Sequence, residues 1–114
     1  MKLDSKTSIL DLKKKLYKFS KKRNWQSNYY PSHLSKSISI EAGELLECFQ
    51  WQDAKKSELL SKDSKQKEKI AMEAVDVLYY LFMLFYVLEI DISESVERKL
   101  EELHIRYPEN KKSD

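Results

Sequence analysis

Glu41-Ala42-Gly43-Glu44 sets two carboxylates three residues apart, and Glu73-Ala74-Val75-Asp76 repeats the arrangement further along the chain. Residues three apart share one side of an α-helix, so each pair presents both acids to the same neighbour. Asp76 is the informative member. Val75 and Val77 flank it at the entrance to an apolar run over 77–88, where an unpaired carboxylate carries a heavy desolvation cost. If the two helices pack face to face, Glu41, Glu44, Glu73 and Asp76 converge, and four carboxylates in one cavity repel one another unless cations neutralise them. Hard oxygen donors with no His or Cys among them suit Mg²⁺ or Mn²⁺, commonly completed by water and substrate phosphates. The competing reading is a solvated acidic stripe of Glu41, Glu44 and Glu47, with Glu73 and Asp76 paired to lysines of neighbouring helices. Pattern alone leaves both open. A di-iron bundle needs two Glu-x-x-His motifs and two further Glu. Here only Glu101-x-x-His104 is present, because Tyr30 stands three positions before His33, and both His are expected at the surface.

Helices must position these acids. One Gly and two Pro in 114 residues are too few for a turn-rich sandwich or a glycine-rich phosphate loop, so the chain reads as one all-α domain. The first helix is expected from Ser8, an N-cap with Asp11 three positions on, to near Asn24, with Ile9, Leu12, Leu16 and Phe19 at helical spacing. Pro31 forces Tyr30 out of helical geometry and marks an aromatic loop over 25–31. A second helix over 32–52 carries Leu34, Ile38, Leu45 and Phe49 as its apolar stripe. The polar stretch 53–64 reads as a linker or frayed helix end. A third, long helix over 65–89 is apolar on every side in its second half, as a central element covered by several neighbours would be. Asp91 or Ser93 caps a fourth helix with Val96, Leu100 and Leu103 at i, i+4 and i+7. Pro108 ends it, leaving 1–108 as a single four-helix-bundle-like domain and 109–114 as a polar tail expected to be disordered.

So small a domain has little surface with which to cover an all-round apolar helix. Assembly into a homodimer or homotetramer through the third helix is the simplest remedy. The longest apolar run, twelve residues over 77–88, falls short of the roughly 20 needed to span a bilayer, so no membrane partner is expected. Against 21 Lys and Arg stand 19 Asp and Glu, a net charge of +2, which gives little reason to expect nucleic acid. The stretch Lys13-Lys14-Lys15, Lys18 and Lys21-Lys22-Arg23 reads as the solvated face of the first helix. The single Cys48 excludes an intramolecular disulfide and is expected to be a small core residue. The segment 1–6 lacks the form of a secretory signal, and a reducing cytoplasm is the expected compartment. Gly43, costly inside a helix, would allow close approach of another helix or of metal-bound phosphates.

Glu-x-x-Glu, a gap of 28 residues, then Glu-x-x-Asp resembles the signature of the MazG-like all-α nucleotide pyrophosphatases. Arg23-Asn24-Trp25, the stretch 39–47 around Glu41 and Glu44, Phe49-Gln50-Trp51, the stretch 76–81 and Arg106-Tyr107-Pro108 are similar in order and spacing to the dCTP pyrophosphatase branch. The resemblance spans about residues 9–108. It implies Mg²⁺-dependent hydrolysis of a nucleoside triphosphate between the α and β phosphates, with nucleotide-pool cleaning as the role. It also implies Glu41, Glu44, Glu73 and Asp76 as metal ligands, with Glu44 chosen as the group that orients or deprotonates the attacking water. Trp25, Trp51 and Tyr80 match the aromatic residues around the base, Lys99 a phosphate contact, and Arg106 a substrate or subunit contact.

Three departures accompany the match. After the loop proline the family commonly has a basic residue and Asn, where this chain has Ser32 and His33. Leu103 stands where Asn is usual and can neither donate nor accept a side-chain hydrogen bond. Leu16 stands where the branch has a His near the base. All three fall on groups that would select the nucleotide and leave the four acids intact. The alternative from another class is a non-catalytic oligomeric helical module that binds nucleotide or a protein partner.

Overall fold

A computed structural model describes residues 2–110 and contains helices and turns but no strand among them. Helix α1 is Ile9–Lys21, α2 Pro31–Glu47, α3 Ala54–Ser57, α4 Ser64–Val87 and α5 Ile92–Arg106, with short 3₁₀ turns at Asp4–Lys6, Trp25–Asn28 and Leu60–Lys62. The all-α class expected from composition is what forms.

Local chemistry explains most boundaries. Ser8 and Asp11 build a reciprocal capping box at the start of α1, satisfying two otherwise orphaned backbone donors. That helix stops at Lys21, three residues before the expected Asn24, because Asn24 takes a left-handed φ of 56°, a conformation that Asn tolerates better than most residues. Pro31 opens α2 at its first position, where its missing N–H costs nothing. The expected end at residue 52 is corrected to Glu47. Cys48, Phe49 and Gln50 close the last turn with i−3 bonds to Leu45, Leu46 and Glu47, the tightening usual at helix ends. The presumed linker 53–64 holds a one-turn helix and a 3₁₀ turn. Asp53 accepts from the Lys56 N–H at 2.8 Å and Asp63 from the Gln66 N–H at 3.1 Å, so two polar residues that looked like linker are helix caps. Asp91, not Ser93, caps α5.

The core is small. Leu34 of α2 packs with Phe82 and Met83 of α4, and Leu12, Leu16, Tyr17, Tyr29 and Ile92 close around them. Leu34 meets the later half of α4 while Glu41 and Glu44 meet Glu73 and Asp76, so α2 and α4 run antiparallel. Tyr17 stacks on Tyr86 with ring centroids 3.8 Å apart and fastens α1 to α4. Ser20 is fully buried beneath α4, its hydroxyl donating to the Tyr17 carbonyl at 2.8 Å.

The expectation that α4 is covered on all sides does not hold within one chain. Only Phe82 and Met83 of this helix are buried, while Met72, Val75 and Leu78 are exposed. Helix α5 meets the core at its first turn, through Ile92, and leaves Val96 and Leu100 half in solvent. The chain accordingly exposes 9790 Å², against about 6,600 Å² for a compact monomer of this mass. Its radius of gyration is 17.2 Å, where about 13 Å is usual for this length. An 18-residue stretch of α4 reaches a mean hydropathy of 1.7, long and apolar enough by length and composition alone to cross a membrane, which the uninterrupted run of twelve had not suggested. That helix also carries Glu73 and Asp76. Cys48, expected in the core, is half-buried beside the Glu44 carbonyl. The space where a Cβ on Gly43 would project is open, so no helix of the same chain approaches there. Of the proposed tail, residues 111–114 lie outside the described residues.

Candidate active site

The antiparallel packing of α2 on α4 brings both acidic pairs to one place. Glu41, Glu44, Glu73 and Asp76 each direct a carboxylate oxygen into a cluster whose atoms all lie within 4.8 Å of one another. Glu41 and Glu73 are half-buried, Glu44 and Asp76 exposed, so the cluster has a sheltered floor and an open rim. Two features show that the cluster calls for positive charge. Glu41 keeps its Oε2 atom buried without a hydrogen-bond partner, a costly arrangement for an ionised group. Its carboxyl is also pushed up from the ordinary 4.5 to about 7, first by a hydrogen bond with Glu44, then by burial, then by the charges of Glu44, Asp76 and Glu73. None of the salt bridges among the described residues involves these four acids. The reading in which Glu73 and Asp76 are neutralised by lysines therefore fails. A four-carboxylate, all-oxygen donor set suits a hard divalent cation.

Beside the acids opens a cavity of about 270 Å³ lined by Phe19, Trp25, Glu41, Glu44, Asp76, Tyr79 and Tyr80. Trp25 comes from the 3₁₀ turn after α1 and rests edge-on against Phe19, centroids 5.7 Å apart. The Arg23 guanidinium lies 3.6 Å over the other partner of this pair, the Phe19 ring. Tyr79 and Tyr80 follow Asp76 on α4 by three and four residues, and their rings cross at 81°. Burial, then the negative charge of Glu41, pushes the Tyr80 hydroxyl above its ordinary range, so it stays a neutral donor. Tyr29 is raised as well, by burial and by its hydroxyl contact with Tyr79.

Of the residues that sequence singled out, Glu41, Glu44, Asp76, Trp25 and Tyr80 share this cavity, and Glu73 joins them in the carboxylate cluster. Three others do not come to it. Trp51 is 85% exposed and lines a separate cavity with Gln52, Lys56 and Asp63. Lys99 and Arg106 lie on α5, where both pair with Glu102, at 3.2 and 2.7 Å. His33 packs against Tyr30 and takes no part, and Glu101 and His104 belong to no metal-ligand group among the described residues. Two wall residues were missed. Phe19 fitted the apolar spacing of α1 and read as core, and Tyr79 was indistinguishable from its neighbours in an apolar run. Only the turn that folds Trp25 back against Phe19 separates the wall residue from the core residue.

Residues 36–114 match the MazG-like family. The chain belongs to that family. As a MazG-like protein it is similar to dCTP pyrophosphatase 1 of Mus musculus, 28% identical over 101 residues, and to that of Homo sapiens, also 28% identical over 101 residues. These alignments cover 89% of this chain but 59% of the relatives, so the chain spans well under two thirds of the curated proteins it matches. A pyrophosphatase from Archaeoglobus fulgidus DSM 4304, known from its crystal structure, superposes with a TM-score of 0.77 at 37% identity. That superposition covers 89% of this chain and 93% of the archaeal one. The MazG-like fold and the four-acid cluster are thus present together in this short chain.

Proposed function

We propose that this MazG-like chain is a Mg²⁺-dependent nucleoside triphosphate pyrophosphohydrolase. It would convert dCTP, or a modified or non-standard deoxynucleoside triphosphate, to the monophosphate and pyrophosphate and so cleanse the nucleotide pool. One observation carries the reading: an aromatic slot opens directly beside four converging carboxylates, the two environments that a base and its phosphates require. The names of the mammalian and archaeal relatives agree with it.

Mg²⁺, or Mn²⁺ in its place, held by Glu41, Glu44, Glu73 and Asp76, would supply charge neutralisation and a water of lowered pKa. Trp25 and Tyr80, with Phe19 and Tyr79, take the base by stacking, which is worth roughly 1 to 3 kcal/mol per base. Glu44 stands at the open rim and accepts the proton of the attacking water. The water oxygen bonds to the α-phosphorus as the bond from that phosphorus to the α–β bridging oxygen breaks, and pyrophosphate leaves in line with the attack.

The proposal includes self-association as a homodimer or homotetramer in a cytoplasmic setting, with neither nucleic acid nor membrane as partner. The half-exposed apolar faces of α4 and α5 support assembly. Trp51, Lys99 and Arg106 would then serve substrate only from another copy, since in one chain they stand apart from the slot. The test is product analysis after incubation with Mg²⁺ and each common NTP and dNTP, plus modified dCTPs, beside Glu73→Ala and EDTA controls. Monophosphate plus pyrophosphate, lost in both controls, is the expected result. Diphosphate plus orthophosphate overturns α–β cleavage, and nucleotide binding without turnover favours the non-catalytic module.

A further inference from the structure

We infer that the hydroxyl pair formed by Tyr29 and Tyr79 is a clasp that sets the width of the base slot and, through it, the selectivity among bases. In this arrangement Tyr79 is a specificity-determining wall residue, and Tyr29 is a positioning residue that acts through it. The inference rests on the nucleotide reading above and deepens it.

The two walls of the slot come from separate elements. Trp25 lies on the 3₁₀ turn Trp25–Asn28, and Tyr79 lies on α4 beyond Asp76. Tyr29 leaves that turn with its N–H donating to the Gln26 carbonyl at 3.1 Å, and its hydroxyl meets the Tyr79 hydroxyl at 2.7 Å. The turn that carries Trp25 is thereby fastened to the helix that carries Glu73 and Asp76. Tyr29 itself does not line the cavity, so it reaches a ligand only through its partner. Ring packing fixes the orientation of the pair: Tyr29 crosses Tyr79 at 77° with centroids 6.4 Å apart, and Tyr79 crosses Tyr80 at 5.2 Å.

Stacking tolerates any base, because every base has a π-face. Selection must therefore come from the dimensions of the slot and from hydrogen bonds. At about 270 Å³ the cavity falls below the roughly 300–1,000 Å³ typical for whole small ligands, which suits the base alone with the phosphates outside over the carboxylates. Each tyrosine brings one O–H donor and acceptor lone pairs. When Tyr29 donates in their mutual bond, the Tyr79 proton is left free to face polar atoms on the edge of a base; when Tyr79 donates, only its lone pairs are.

The test compares the unsubstituted 114-residue chain with Tyr29→Phe, Tyr79→Phe and the double variant, each removing hydroxyls and keeping rings. Equilibrium affinity for α,β-imido analogues of the four dNTPs with Mg²⁺ is measured by calorimetry, and KM and kcat are measured with the hydrolysable nucleotides. Loss of one hydrogen bond of ordinary net strength weakens binding about two- to tenfold. Both single variants are expected to show that loss and a narrower spread of affinity across the four bases, with Tyr29→Phe, which does not line the slot, leaving kcat unchanged. The double variant is expected to bind no worse than either single one, because the two hydroxyls act as a unit. Unchanged affinity and preference, additive losses, or a fall in kcat at constant KM for Tyr29→Phe each overturn the clasp. If Tyr29→Phe fails to fold, Tyr79→Phe removes the same bond from the other side. A wild-type protein that binds the analogues but releases no pyrophosphate sinks the pyrophosphatase reading alone, and the affinities then decide the clasp. Wild-type protein that binds no nucleotide overturns both.

Discussion

Glu41 and Glu44 stand one turn apart on α2 and share a hydrogen bond that, with burial and the neighbouring charges, holds the Glu41 proton up to about pH 7. A carboxyl raised in the folded chain takes its sign from linkage. Below the ordinary value of 4.5 the group is protonated folded or unfolded and costs nothing. Between 4.5 and about 7 the unfolded chain releases this proton while the folded chain keeps it, so metal-free stability falls as pH rises through that window. Melting curves in EDTA from pH 4 to 8 should show the decline. Mg²⁺ should offset it increasingly toward pH 7 and above, where coordination no longer has to displace the proton.

Glu44→Gln removes one negative charge from the cluster. The metal-free variant should melt above the parent at pH 8, because repulsion is relieved, while the stabilisation by Mg²⁺ shrinks. Substituting a group that merely supports a ligand commonly costs 10- to 100-fold in metal affinity or activity. Turnover by Glu44→Gln and Glu73→Ala should therefore drop on the order of a hundredfold or more. Paired melting and turnover measurements check both signs, and a metal-free variant less stable than the parent at pH 8 contradicts the repulsion argument.

Trp25→Ala and Phe19→Ala remove one wall of the aromatic slot. For Trp25 a stacking loss of roughly 1 to 3 kcal/mol corresponds to a KM increase between about fivefold and a hundredfold. Phe19→Ala should have a smaller effect in the same direction, because this ring supports Trp25 edge-on. Steady-state kinetics settle the order, and an unchanged KM for Trp25→Ala places the base elsewhere.

Half-exposed Leu100 and the neighbouring Leu103 form an apolar groove with His104 and Tyr107. Sedimentation equilibrium should give the wild-type protein a mass that is a multiple of the chain mass. Leu100→Asp should shift the distribution toward monomer and lower the melting temperature. A wild-type protein that sediments as a monomer would show that α5 serves another purpose.

Leu34 and Met83 carry most of the buried core, at 1% and 0% exposure. Truncating either to Ala should cost about 2 to 5 kcal/mol, the usual range for a large-to-small change in a packed interior. Chemical denaturation in the presence of Mg²⁺ measures it. Leu46→Ala, at a side chain 70% exposed, serves as the comparison and should cost far less if that face remains in solvent.

Much of this was legible along the chain. The capping box at Ser8 and Asp11, the break that Pro31 makes between the aromatic loop and the second helix, and the two Glu-x-x-acid pairs are local patterns, and local hydrogen bonding and helical spacing decide them without distant help. Asp53 and Asp63 were equally local but were read as linker, because an isolated polar residue caps a helix only when the backbone beyond it turns helical. The wall residues Phe19 and Tyr79 were not legible. Each lies in an apolar pattern in which core and cavity lining are written with the same residues.

By itself, then, the sequence determined the helical class and which acids share a helix face, while the packing of α2 on α4 decided that the two pairs meet. Spacing along a helix fixes which side chains share a face, and four carboxylates require a cation wherever they meet. Tertiary structure decided which aromatic side chains stand beside the acids, how the Tyr29 and Tyr79 hydroxyls join the Trp25 turn to α4, and that Trp51, Lys99 and Arg106 lie away from the cluster within one chain. Those relations depend on how helices cross and where loops return. They arise from packing between residues far apart in sequence, which no local pattern encodes.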